Sequence, residues 1–195
     1  MSWGFGRGKK AYKANMDWAK SLGDNLSSTL RAGIEALSDG SFNPESFDFS
    51  ASPYNPRMNA GWTKYYALAS NNHVIYDGRV GAALGFLVRR YLESLPQESR
   101  PGKTPPELAF PWAAGQGNKN LRNPSSSEFS FSPLRHTGQG SADWATANVK
   151  ANWILLEASK LAGTDWCDFE QGLRRLEAAL FMIGYDLSMV SQKEN

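Results

Sequence analysis

Two ionisable side chains, Lys64 and Asp77, stand thirteen positions apart in GWTKYYALASNNHVIYDGRVGAALGFLVRRYL, residues 61–92. Asp77 directly precedes apolar residues at helical spacing, the place where a carboxylate accepts backbone N–H bonds. The positive end of the helix dipole favours its ionised form. Such an aspartate is either a fixed anion available for chemistry or simply a cap. Lys64 opens a segment crowded with Trp62, Tyr65 and Tyr66. Aromatic walls that desolvate an amine lower its pKa and make it a nucleophile. The plainer alternative is a lysine whose stem lies along the rings with its head in water.

Other chemistries find no support. His73 and His136 stand in loops without an HxxxH or CxxC companion, and Cys167 is the single cysteine, so neither a metal nor another cofactor is expected. The His-x-Glu and cysteine pair of zinc deaminases is absent, as is a G-x-S-x-G elbow. Glu157, Asp168, Glu170 and Glu177 alternate with basic residues and read as solvated faces. GFGRGKK near the start has no strand before it and no Ser or Thr after its lysines, so it reads as a basic tail rather than a phosphate loop.

The elements that must position Lys64 and Asp77 are helical. Tyr12 to Leu22 predicts a short helix. Leu26, Leu30, Ile34 and Leu37 form one apolar stripe of a second helix that stops near Gly40. Pro44, Pro53 and Pro56 forbid a regular helix between Phe42 and Gly61. Trp62 to Ala69 fits two helical turns. Val80, Ala83, Leu84, Leu87, Val88 and Tyr91 predict a helix capped by Asp77 and ended before Pro96. Residues 96–140 are proline-rich and irregular, with Phe110, Trp112, Phe129 and Phe131 arguing that the stretch is partly packed. Ser141 is the expected cap of a helix carrying Trp144, Ala147, Ala151, Ile154, Leu155, Ala158 and Leu161 on one face. Asp168 and Gln171 resemble a capping box for a last helix through Leu173, Leu176, Leu180 and Ile183, with Gly184 as its stop. The expected fold is mainly α with long loops: a mobile basic tail over residues 1–10, then one helical domain over 11–195.

The chain has 195 residues, 41% of them hydrophobic, which suffices for a real core. No apolar run approaches the roughly 20 residues of a membrane helix, and no apolar stretch follows the charged N-terminus as a secretory signal requires. A soluble, cytoplasmic protein is expected. The net charge is only +2, but residues 57–136 hold ten basic against five acidic side chains. The middle of the chain is therefore where phosphate contacts are sought.

VIYDGRVGAAL resembles the segment of helix-hairpin-helix DNA glycosylases in which a catalytic aspartate opens a helix. WTKYYALAS, IYDGRVGAALGFL, the RNPS at Arg122–Ser125 and LEAALFMIGYDL at 176–187 are more closely similar to a bacterial family described as having an 8-oxoguanine-glycosylase (OGG) fold, often found in phage-defence loci. The resemblance implies a compact helical glycosylase-like (HhH-GPD/OGG-like) domain. It makes Asp77 the catalytic aspartate and aligns Lys64 with the lysine that attacks the sugar C1′. Only Gly61 remains where that superfamily carries a Gly-x-Gly hairpin turn, and the Lys-to-Asp separation is shorter.

The implied activity is cleavage of the N-glycosidic bond of a modified or damaged base in double-stranded DNA. The family context points to a hypermodified cytosine of phage DNA, with abasic sites and antiviral defence as the result. A carboxylate beside the sugar would stabilise oxocarbenium charge, and the base must first be flipped out of the stack. The expected DNA- and base-binding residues are Gly61, Trp62, Tyr65, Tyr76, Arg79, Trp112, Lys119, Arg122, Asn123 and Ser125, with Arg89, Arg90, Tyr66 and Phe110 as further clamp or stacking candidates. Two rivals remain open: a non-catalytic DNA-binding protein on the same scaffold, and a helical interaction module in which Asp77 is only a cap.

Overall fold

The apolar stripes become six α-helices in the computed structural model, which describes residues 10–38, 40–70, 73–115, 121–163 and 172–188. They are α1 (Lys10–Leu22), α2 (Leu26–Ser38), α3 (Trp62–Ala69), α4 (Gly78–Ser94), α5 (Gly138–Ala162) and α6 (Gly172–Ile183). Short 3-10 turns at Gly23–Asn25, Pro44–Phe47, Gln97–Ser99 and Pro106–Leu108 punctuate the connections. The described residues are thus mainly helical. They form no strand, only an isolated parallel bridge between Trp112 and Pro133. Among them no helix is long and apolar enough to cross a membrane. The expected capping pair Asp168 and Gln171, with Glu170, Cys167, Lys119 and residues 1–9 of the tail, lies outside the described residues.

The chain divides into two compact units, Met1–His73 with Arg135–Val149 and Val74–Leu134 with Lys150–Asn195. Helix α5 gives its first half to one and its second half to the other.

In the first unit, Trp18, Leu22, Leu30, Leu37, Phe47, Met58, Tyr66 and Trp144 are buried. Phe47 meets Tyr66 edge-on at 6.0 Å, and Gly33 leaves α2 bare where the Tyr66 ring crosses it. Ser141 does not cap α5. The helix starts four residues earlier because Thr137 Oγ1 accepts the Gly140 N–H at 2.9 Å and the Thr137 carbonyl accepts that of Ser141 at 3.0 Å. The Ser141 hydroxyl instead accepts the buried Met58 N–H at 2.8 Å, satisfying a loop amide that has no water to turn to.

The second unit is built on α4 against α6. Phe86, Leu92, Trp112, Phe129, Phe131 and Leu187 form one buried cluster with Ala82. Burying each large side chain contributes about 1.5–3 kcal/mol. Three glycines of α4, at positions 78, 81 and 85, share one face, and the irregular segment lies directly on it. A Cβ at Gly78 would strike Ala113, one at Gly81 the Pro111 carbonyl, and one at Gly85 the Pro124 ring. This displaces the apolar stripe from its expected centre: Val80, Ala83 and Leu84 are buried, while Leu87 and Tyr91 face solvent. The described parts of the long stretch after Pro96 are partly packed, through the aromatics that suggested it: Phe110, Trp112, Phe129 and Phe131 are buried. Trp112 exchanges backbone bonds with Ser132 and Leu134, and its Nε1 donates to the Phe131 carbonyl at 2.9 Å. Arg100 ties the stretch back to the end of α4 through the Glu93 and Leu95 carbonyls and pairs with Glu128 at 3.2 Å.

Candidate active site

Residues 74–77 run extended into α4, and side chains rather than a sheet hold the first three of them. The Val74 N–H donates to Asn152 Oδ1 of α5 at 2.8 Å. The Ile75 N–H donates to Glu177 Oε2 of α6 at 2.7 Å. The fully buried Tyr76 donates its hydroxyl to the Pro111 carbonyl at 2.7 Å. Burial, and after it the charge of Asp77, push the Tyr76 phenol well above its ordinary pKa, so it stays a donor.

Asp77 follows as the N-cap, half-buried, as its sequence position predicts. Oδ1 accepts the N–H groups of Arg79 at 2.8 Å and Val80 at 3.3 Å. Oδ2 accepts no hydrogen bond among the described residues and is not buried. One oxygen is therefore anchored by the helix and the other is left available.

Around this carboxylate the second unit collects charge. The Arg79 guanidinium rests over the rings of Phe181 at 4.6 Å and Tyr185 at 5.2 Å. Arg122 lies over the same Tyr185 ring at 5.9 Å, and its Nε donates to the Tyr185 carbonyl at 3.3 Å. The Arg122 pKa is lowered by burial and then by the Arg79 charge, against the opposing pull of Asp77 and Tyr185. Gly184 permits the approach: a Cβ there would collide with the Arg79 carbonyl, so only glycine lets the end of α6 meet the start of α4.

Glu177 is not a solvated face. Its side chain is only 12% exposed and pairs with Arg174 at 2.8 Å. Burial raises its pKa, the Ile75 amide and Arg174 pull it back, and Asp77 adds to the rise. Glu157, by contrast, is exposed and paired with Lys160, as its pattern suggested. The signal that separates them is local. Glu177 lies in the apolar run LEAALFMI, residues 176–183, where it is the one carboxylate among apolar neighbours.

The remaining candidates fall into three settings. Gly61, Trp62, Lys64 and Tyr65 belong to the first unit. There the Gly61 and Trp62 N–H groups donate to Asn59 Oδ1 at 3.0 and 3.2 Å, Trp62 Nε1 donates to Asn15, and Lys64 Nζ donates to the Ala60 carbonyl at 2.5 Å. Trp62 stacks edge-on with Trp18 and Tyr65. In the second unit Tyr76, Phe110 and Trp112 are core residues. Asn123 Oδ1 accepts the Ser125 N–H and Ser125 Oγ the Phe131 N–H, so both shape the loop that carries Arg122. Arg89 bonds to the Pro124 carbonyl and pairs with Glu93, while Arg90 lies over Phe86. The structure thus brings Asp77, Arg79 and Arg122 together within one unit. Phe181, Tyr185 and Glu177 join them without having been singled out as site residues.

No family model, no curated protein and no solved structure matches the chain.

Proposed function

We propose that the chain is a DNA glycosylase that hydrolyses the N-glycosidic bond of a modified or damaged base, on a helix-hairpin-helix glycosylase-like scaffold. The observation that carries this reading is the Asp77 carboxylate, with Oδ1 fixed by two helix amides and Oδ2 uncommitted, in a unit where its charge is felt by Arg122. As the C1′–N bond breaks, the base departs with the bonding pair and positive charge spreads over C1′ and the ring oxygen of the sugar. A carboxylate already held in place stabilises that charge without reorganising. Water then bonds to C1′, and its proton passes to Asp77 or to solvent. Lys64 is not needed as nucleophile in this scheme. The family resemblance favours a hypermodified cytosine of phage DNA as the target and antiviral defence as the setting.

A second reading, a non-catalytic DNA-binding protein on the same scaffold, is favoured by the Gly61 amide. It donates to Asn59 instead of facing a phosphate, and Tyr76 and Trp112 are too buried to stack on an extruded base. Incubation with duplexes carrying modified or plain cytosine, followed by alkaline cleavage, separates the two. Strand breaks at one class of base support the glycosylase, and duplex binding with no abasic sites supports the rival.

A further inference from the structure

Three arginines of the second unit, Arg89, Arg100 and Arg174, pair with Glu93, Glu128 and Glu177. Arg79 and Arg122 pair with no carboxylate among the described residues. Their placement is nonetheless specific. The Tyr185 ring lies 5.2 Å from one guanidinium carbon and 5.9 Å from the other, and Phe181 supports Arg79 from beneath at 4.6 Å. The Tyr185 carbonyl takes only Nε of Arg122, and that residue's terminal N–H groups and the whole Arg79 fork have no acceptor among the described residues. Gly115 packs its backbone against one side of the Arg122 guanidinium, where a Cβ would come within 2.9 Å of it, and so helps to fix its position. The two charges act on each other, since part of the downward shift of the Arg122 pKa is the Arg79 charge. Two planar forks with unused donors match an oxyanion that has several acceptor oxygens, and its negative charge is complementary to theirs. Tyr185 is 59% exposed, so the pair opens on solvent rather than into the core.

We propose that Arg79 and Arg122, set by the Tyr185 ring, form the receptor for one phosphodiester group of a polynucleotide backbone, shared between both guanidiniums. This rests on the reading that the chain binds DNA, and it gives the backbone a fixed point beside Asp77.

The test is binding of an undamaged duplex to the full chain, followed by fluorescence anisotropy across a series of sodium chloride concentrations. Neutralising one phosphate contributes about 0.9 to the slope of log Kobs against log salt. Arg79→Gln and Arg122→Gln each lower the slope by about 0.9, and the double variant loses the same amount rather than twice as much, because one phosphate serves both. Tyr185→Phe keeps the slope, whereas Tyr185→Ala, checked for folding by circular dichroism, lowers it. Unchanged slopes in the arginine variants, or a loss near 1.8 in the double variant, overturn the proposal. So does an absence of duplex binding while inorganic phosphate shifts the Arg122 Nε–H resonance. Base release plays no part in the measurement. A protein that binds as described but releases no base retains the receptor and loses the glycosylase, and one that releases base with unchanged slopes does the reverse.

Discussion

Glu177 accepts the backbone N–H of Ile75 at 2.7 Å, two residues before Asp77, and so fastens the approach to the N-cap of α4 onto α6. Asn152 does the same for Val74 from α5. The position of the Asp77 carboxylate is therefore set by contacts from three helices, although its own bonds are all to α4.

Removing the Glu177 carboxylate leaves the buried Ile75 amide without its acceptor. Glu177→Ala is expected to lower stability by about 1–3 kcal/mol, the cost of an unsatisfied buried polar group. Glu177→Gln keeps an oxygen for Ile75 and is expected to lose less. Urea denaturation at neutral pH measures both.

The pH dependence of Glu177 has a definite sign. Its folded-state pKa is raised, chiefly by burial, so between the ordinary carboxylate value and the raised one the folded protein binds more protons than the unfolded chain. Stability from this group is then full below the ordinary value and is lost as pH rises through the folded one. The stability difference between wild type and Glu177→Gln is expected to shrink from pH 4 to pH 7 (values set by the usual carboxylate range, roughly pH 4). Paired urea titrations at the two pH values measure it, and a growing difference contradicts the assignment.

Gly81 is the fourth residue of α4 and donates its N–H to the Asp77 carbonyl, so propensity alone makes alanine more stable there by up to about 1 kcal/mol. The Pro111 carbonyl occupies the space its Cβ would need, so overpacking, typically about 1–3 kcal/mol, decides the sign. Gly81→Ala is expected to lower the thermal midpoint, and a rise would show that the segment over α4 is looser than described.

Much of the fold is legible from local signals. Trp62–Ala69 is the helix its composition predicts, and Asp77 caps α4 because a carboxylate before an apolar helical run has two amides within reach. Ser141 shows where local reading fails: a serine suited to capping was drawn into a tertiary bond with Met58, and Thr137 capped instead. The site divides the same way. Asp77, Arg79 and Arg122 were recognisable by charge and position, but the placement of both arginines over the Tyr185 ring depends on Gly184 letting α6 approach α4. Tyr76 and Trp112 look like stacking residues in sequence, and only tertiary contact reveals them as core. Glu177 was hidden because flanking arginines imitate the pattern of an exposed face.

Lys64 donates to the Ala60 carbonyl in the first unit, and the hydrolytic scheme gives it no covalent part. Lys64→Ala is expected to retain base release within a few fold, and borohydride is expected to trap no DNA adduct with the wild type. An adduct that disappears in Lys64→Ala would replace water by lysine as the nucleophile.

Asp77→Asn is the most direct test of the central claim, because asparagine caps a helix as well as aspartate does and the fold should survive. Single-turnover base release from the responsive modified duplex is the measurement. A fall of about 10²–10³-fold is expected, the usual effect of removing one preorganised electrostatic group, with an unchanged thermal midpoint. Base release at the wild-type rate in Asp77→Asn would contradict that claim and leave the carboxylate as a helix cap alone.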